Sequence, residues 1–95
     1  EEQIIAEGRY ARIPETSSAD LAFVVDEAYQ GRGIATFLFE LLCRVAREKG
    51  IKAFRADVLA TNKAMLKVLE KSPYPFKAVM NSGVYEITIP LTDEG

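Results

Sequence analysis

The chain has 95 residues, of which 48% are hydrophobic and 27% are charged, and its formal net charge is −2. This composition predicts one domain with a modest core and excludes the basic surface that binding to nucleic acid requires. No histidine occurs, which excludes serine–histidine and cysteine–histidine nucleophiles and argues against a metal site. The single cysteine, Cys43, predicts a reducing, cytoplasmic compartment, and no apolar run in the sequence is long enough to span a membrane.

The first half of the chain predicts two strands followed by a long helix. Ile4–Ile13 is rich enough in β-favouring residues to indicate a strand, and the continuous apolar run Leu21–Val25 indicates a buried one. The helix is predicted over Gly33–Lys49 and ends at Gly50, a residue type that commonly follows a helix.

This helix has two apolar faces. Residues of one face recur at spacings of four and three and are expected to pack on the core: Ile34, Leu38, Leu41 and Val45. The opposite face carries Cys43, with Phe39 and Ala46 nearby. A second apolar face predicts a second packing partner, either a neighbouring chain or a segment outside this sequence.

The second half of the chain predicts a strand, a short helix and a hairpin. The predicted elements are strands over Ala53–Leu59, Phe76–Met80 and Val84–Leu91 and a helix over Asn62–Lys71. Thr61 is expected to cap the short helix, and Asn81-Ser82-Gly83 is expected to turn the hairpin. Met65, Val68 and Leu69 are expected to face inward.

The element order is therefore β-β-α-β-α-β-β. The unit from Leu21 to Leu59 is a strand–helix–strand crossover, which predicts two parallel strands. The outer strands are expected to be antiparallel. The predicted fold class is α/β, with a mixed sheet and helices on its faces.

The stretch Gln30-Gly31-Arg32-Gly33-Ile34-Ala35 links the second strand to the long helix. A glycine-rich turn at a helix N-terminus directs free backbone N–H groups at one point, which suits a phosphate or pyrophosphate. A plain tight turn is the alternative. A dinucleotide-binding pattern needs a third glycine where this chain has Thr36, and no Gly-Lys-Ser/Thr follows to make a P-loop.

The sequence resembles the GNAT superfamily of acetyl-CoA-dependent N-acetyltransferases. The resemblance rests on Gln30-x-x-Gly33-x-Ala35 and on the order of elements around it, and it covers roughly Ile4 to Ile89. It implies the GNAT acyl-CoA N-acyltransferase fold without that family's N-terminal strand–helix–helix–strand. We therefore expect residues 1–95 to form a single domain that is a fragment or a truncated version.

The resemblance implies acetyl-CoA or coenzyme A as the cofactor. The turn would hold the pyrophosphate, and the end of the second strand would pair with the pantetheine arm where the two parallel strands splay apart. Asn62 would contact that arm, although a residue at this position also suits a helix start. The residues expected to bind the cofactor are Phe23, Val24, Val25, Gln30, Gly31, Arg32, Gly33, Ile34, Ala35, Thr36 and Asn62.

Acyl transfer to an amine needs a base, and without histidine a carboxylate is the candidate. The resemblance implies Asp57 or Asp20, which stand where family members place a glutamate; Asp20 is expected to begin its strand. An ion pair between Asp57 and Arg55, or a solvated strand position, is the alternative. The resemblance also implies a tyrosine that acts as the general acid and protonates the departing thiolate, but this chain has Leu69 at that position. The thiolate would then leave unassisted, or another hydroxyl such as that of Tyr74 would protonate it.

Two functions follow from the resemblance. The first is transfer of an acetyl group from acetyl-CoA to an amine, either a protein lysine or a small molecule. The second is a non-catalytic CoA-binding regulatory or interaction module. The expected partner is an amine acceptor, with neither nucleic acid nor membrane. Association as a homodimer, or completion by a missing N-terminal segment, is also expected, because the strand at Ile4–Ile13 would be an exposed edge.

Overall fold

The computed structural model describes residues 6–25 and 33–91, which form one five-stranded sheet and two helices. The elements are β1 (Ala6–Arg12), β2 (Ser18–Val25), α1 (Ile34–Glu48), β3 (Ala53–Leu59), α2 (Lys63–Lys71), β4 (Lys77–Asn81) and β5 (Val84–Pro90). The order across the sheet is β1-β2-β3-β5-β4. β2 and β3 are parallel, and β1–β2, β3–β5 and β4–β5 are antiparallel. The predicted α/β class, element order and strand directions are confirmed.

The turns between these elements follow the residues that favour them. Gly50 has a φ of +89° and follows α1, a backbone conformation that side chains with a Cβ rarely adopt. Ser82 and Gly83 have φ values of 54° and 81° and join β4 to β5, which confirms the predicted hairpin. Neither helix in residues 6–25 and 33–91 is long and apolar enough to cross a membrane.

β2 begins earlier than predicted. It starts at Ser18, because Ser18, Ala19 and Asp20 pair with β3. Asp20 was expected to begin the strand and is instead its third residue. The sequence gives little sign of this start, because Ser18 and Asp20 are residue types that are common in turns.

The core lies on one face of the sheet, under both helices. α1 packs on β1, α2 packs on β2, and the two helices touch each other. The sheet contributes alternating residues to this core, among them Phe54, Val58 and Ile87, which are all buried. The opposite face, which carries Asp20, Arg55, Asp57 and Glu86, is called the open face below; these side chains are all exposed.

The predicted inner face of α1 is wrong. Phe39, Cys43 and Ala46 are fully buried, whereas Ile34 and Leu41 are 43% and 41% exposed. The rings of Phe39 and of Phe23 on β2 pack in a T-shaped arrangement, with centroids 5.8 Å apart and an interplanar angle of 83°. Both faces of this helix have helical spacing and apolar residues, so periodicity alone does not show which face meets the sheet.

Candidate active site

The two parallel strands separate after a short join. β2 and β3 are paired only from Ser18–Asp20 to Ala53–Arg55, and Asp20 opposite Arg55 is the last pair. Beyond it, β2 continues alongside β1 and β3 continues alongside β5. The gap opens into a cleft of about 810 Å³, called the β2–β3 cleft below.

The lining of the β2–β3 cleft includes residues of both faces of the sheet. Its lining residues are Asp20, Leu21, Ala22, Phe23, Val24, Arg55, Ala56, Asp57, Val58, Asn62, Met65, Val79, Glu86, Ile87 and Thr88. The cleft therefore brings together five of the site residues predicted from the sequence: Asp20, Phe23, Val24, Asp57 and Asn62.

The predicted glycine turn is only partly described. Gln30, Gly31 and Arg32 lie outside the described residues. Val25 is described as the last residue of β2 by its backbone alone. The remaining residues of the turn, Gly33 to Thr36, form the start of α1 and are not part of the cleft lining.

The wall of the cleft formed by β2 is a strand edge. After Asp20, the side of β2 that faces away from β1 has no registered partner strand among the described residues. Every second residue of Leu21–Val25 therefore directs its backbone N–H and C=O into the gap. An extended ligand can bind to such an edge through backbone hydrogen bonds, in the way that an additional β-strand would.

The N-terminus of α1 is suited to an anion. Gly33 is its N-cap, with φ 80° and ψ −7°, and within the described chain no side chain caps this end. The first intrahelical bond is donated by Phe37 N–H to the Gly33 carbonyl at 2.9 Å. The N–H groups of Ile34, Ala35 and Thr36 therefore have no acceptor within the helix, and the helix dipole adds positive potential at the same point.

Asn62, and not the predicted Thr61, caps α2. Its Oδ1 accepts a hydrogen bond from Met65 N–H at 3.1 Å, and its own N–H donates to the Leu59 carbonyl at 2.9 Å. Both residue types suit a cap, but this turn places Asn62 directly before the helix. The capping bond uses the side-chain oxygen. The amide Nδ2 has no hydrogen-bond acceptor among residues 6–25 and 33–91, and Asn62 lines the cleft.

The two predicted carboxylates lie on the open face and line the cleft from opposite walls. Asp20 stands where β2 leaves β3, and Asp57 follows two residues beyond the last pair on β3. Within the described ranges neither carboxylate makes a hydrogen bond or ion pair. The alternative of an Asp57–Arg55 ion pair is therefore not observed, and the Asp57 side chain is exposed.

A third carboxylate, Glu86, was missed by the sequence interpretation. It stands directly opposite Asp57 in the β3–β5 register and lines the same cleft. Its Oε2 accepts a hydrogen bond of 3.4 Å from Asn81 Nδ2. The signal that could have found it is that Glu86 is the only charged residue in the predicted strand Val84–Leu91.

The cleft lining contains no tyrosine in the part of the chain that the structure describes. Leu69, at the position where the family usually has its acid, is 2% exposed and belongs to the core. Tyr74 is half-buried and packs against that core, away from the cleft lining. The described lining therefore offers carboxylates for taking a proton but no phenol for giving one.

A mixed sheet whose two parallel strands separate, with a glycine N-cap on the helix that follows the first of them, is typical of acyl-CoA N-acyltransferases. Residues 1–72 match the model of the acetyltransferase (GNAT) family. The chain belongs to this family, which uses acetyl-CoA as its cofactor. The resemblance drawn from Gln30-x-x-Gly33-x-Ala35 is confirmed.

Similar proteins are known from several bacteria. Acetyltransferase Pat of Mycolicibacterium smegmatis is 39% identical over 69 residues, which are 72% of this chain and 21% of that protein. The GNAT domain of S. lividans PAT superposes with a TM-score of 0.76 at 38% identity, over 93% of this chain and 55% of that one. At 14% identity, yncA from Salmonella typhimurium, solved with its cofactor acetyl-CoA, shows the shared fold alone, with a TM-score of 0.72 over 96% of this chain and 60% of that one.

The chain thus spans about a fifth of the curated Pat relative and about half of the S. lividans domain.

Proposed function

We propose that this chain is the cofactor-binding part of an N-acetyltransferase that moves an acetyl group from acetyl-CoA to an amine, either a protein lysine or a small molecule. The observation that carries the proposal is the β2–β3 cleft, because it joins a free strand edge to two carboxylates, Asp20 and Asp57. Membership of the acetyltransferase family supports the same reaction class.

Three parts of the chain would hold the cofactor. The N–H groups of Ile34 to Thr36, together with Gln30–Arg32, would bind the pyrophosphate, since this helix end has no capping side chain among the described residues. The backbone of Phe23–Val25 would pair with the amides of the pantetheine arm along the free edge of β2. Asn62 would donate from Nδ2 to the same arm while its Oδ1 caps α2.

When bound, acetyl-CoA supplies the thioester, whose C–S bond breaks as the amine nitrogen forms the new C–N bond. Backbone N–H groups of β2 near Val25 would polarise the thioester carbonyl. Asp20 or Asp57 would take the proton that the attacking amine must lose, directly or through one water. Asp20 lies where the strands part and Asp57 lies on the other wall, so both would face an acceptor in the gap.

The departing thiolate has no tyrosine to protonate it at the usual position, because Leu69 stands there and is buried. The thiolate would leave unassisted or take its proton from solvent. This feature supports the second candidate, a CoA-binding module without turnover.

A thiol-release assay with acetyl-CoA and a panel of amines tests the proposal. We expect Asp20→Asn or Asp57→Asn to lower kcat by about 10²–10⁴-fold, the usual contribution of a general base, with acetyl-CoA affinity unchanged. Glu70→Gln, on the exposed side of α2, is the matched control. Binding of acetyl-CoA without thiol release for any amine would favour the non-catalytic module instead.

A further inference from the structure

Glu86 lies in the β2–β3 cleft but takes no part in the chemistry above. We propose that Glu86 selects the acceptor: with Asp57 it binds the ammonium group of a cationic primary amine carried on an aliphatic stem, as in a lysine side chain. This inference rests on the proposed function, since it assigns the substrate class of the same cleft.

The strand register brings the two carboxylates to one point. Asp57 and Glu86 are directly opposite each other in the antiparallel β3–β5 pair, and both side chains lie on the open face. Opposite residues of such a pair have Cβ atoms about 4.5–5.5 Å apart. An ammonium group has three N–H donors and can therefore contact both carboxylates at once.

Two cationic side chains lie near this pair, but within residues 6–25 and 33–91 neither carboxylate forms an ion pair. Like charges directly opposite in a sheet repel each other. Arg55 and Lys77 are each paired with Thr88, one row away, and within residues 6–25 and 33–91 neither forms an ion pair with Glu86. A cation placed between Asp57 and Glu86 would remove this repulsion, whereas a neutral or anionic acceptor would not.

The neighbours of Glu86 suit the rest of such an acceptor. The hydrogen bond from Asn81 Nδ2 to Oε2 orients the Glu86 carboxylate. Val79 stands opposite Glu86 on β4, is 62% exposed and lines the cleft. An exposed apolar side chain beside a carboxylate matches an aliphatic stem that ends in an ammonium group.

Steady-state kinetics at saturating acetyl-CoA test the assignment with two probes. Nα-acetyl-lysine methylamide is cationic at pH 7.5, and methoxyamine is neutral. We expect Glu86→Gln to raise KM for the lysine probe by about two- to five-fold, the range of an exposed ion pair, with kcat nearly unchanged. KM for methoxyamine and for acetyl-CoA should not change, and Glu70→Gln on α2 should alter none of these values.

A binding measurement keeps the inference testable without turnover. Titration with cadaverine, followed by ¹⁵N NMR, should shift the Asn81 side-chain amide and the backbone amides of Asp57 and Glu86, and Glu86→Gln should weaken this response. Unchanged KM and unchanged cadaverine shifts in Glu86→Gln would overturn the assignment of Glu86. Failure of the wild type to release thiol with any amine would overturn the proposed function instead. In that case the cadaverine titration alone would test whether Glu86 binds an ammonium group.

Discussion

Asp20 of β2 and Arg55 of β3 form the last registered pair before the two parallel strands separate. Just before them, Ala19 and Phe54 are paired and fully buried, so the join is anchored in the core although it is short. Separation beyond Asp20 leaves the edge of β2 without a strand partner among the described residues. The backbone N–H and C=O groups on this edge of β2 therefore lack strand partners in the middle of the sheet. An extended ligand could form hydrogen bonds with them.

Two substitutions separate the observed capping role of Asn62 from its proposed contact with the cofactor. Asn62→Ala removes both the capping oxygen and the amide donor and should lower the free energy of unfolding by about 1 kcal/mol. Asn62→Asp keeps a capping oxygen for Met65 N–H and should leave stability nearly unchanged while weakening acetyl-CoA binding. Urea unfolding and calorimetric titration measure the two effects. Equal acetyl-CoA affinity in all three proteins would show that Asn62 is a cap alone.

Gly33 and Gly50 form a matched pair at the two ends of α1. Their φ values are +80° and +89°, and, apart from the adjacent residues of the chain, no described residue has a heavy atom within 4 Å of the place an added Cβ would occupy at either site. Substitution by Ala should therefore cost each site a similar free energy of unfolding, about 1–2 kcal/mol. Only Gly33→Ala should also reduce acetyl-CoA affinity, by about tenfold or more, because only Gly33 lies at the end of α1 that is proposed to bind the pyrophosphate. Equal affinity of the two variants in a calorimetric titration would contradict the phosphate assignment.

The buried face of α1 can be checked by truncating one residue on each side. Phe39→Ala should lower the free energy of unfolding by about 3–5 kcal/mol, because the ring is fully buried against Phe23. Leu41→Ala should cost about 1 kcal/mol or less, since Leu41 is 41% exposed. Urea unfolding followed by circular dichroism measures both. A larger loss for Leu41→Ala would restore the face predicted from periodicity.

Cys43 makes the stability of the fold sensitive to alkaline pH. Burial, with a smaller contribution from the charge of Glu40, raises the pKa of this thiol from 9.0 to about 12. Above pH 9 the unfolded chain releases the thiol proton while the folded chain retains it, so stability falls as pH rises from 9 towards 12. Below pH 9 both states hold the proton and the effect vanishes.

The test of this prediction compares unfolding free energies of wild type and Cys43→Ala between pH 8 and pH 10.5. The wild-type value should decline more steeply above pH 9, by up to about 1.4 kcal/mol per pH unit. The thiol should also react slowly with an alkylating agent in the folded protein at pH 8. Parallel pH profiles, or rapid alkylation without unfolding, would show that Cys43 is accessible.

Much of the fold was predictable because local chemistry decides it. The strand over Ala53–Leu59 was predicted with its observed bounds, and Asn81-Ser82-Gly83 correctly places a hairpin. The inner face of α1 was not predictable, since both faces carry apolar residues at helical spacing. Which face meets the sheet depends on packing against distant residues such as Phe23.

Only part of the candidate site was predictable, because some of its residues come together only through contacts between distant parts of the chain. Asp20 and Asp57 follow from the resemblance of this sequence to its family, but the assignment of their roles remains a prediction. Glu86 comes to the site only through the β3–β5 register, which pairs residues that are distant in the sequence. The point where β2 leaves β3 also has no local signal, because both strands continue with strand-forming residues past Asp20 and Arg55.

Titration of the ¹⁵N-labelled chain with acetyl-CoA tests the central claim most directly. The account predicts that backbone amides of Leu21–Val25 and Ile34–Thr36, with the Asn62 side chain, shift together in a saturable manner. The amides of β4 beyond the cleft should stay unchanged, which serves as an internal control. The absence of shifts at β2 and at the start of α1 in a folded sample, or shifts confined to other elements, would contradict the assignment of the β2–β3 cleft.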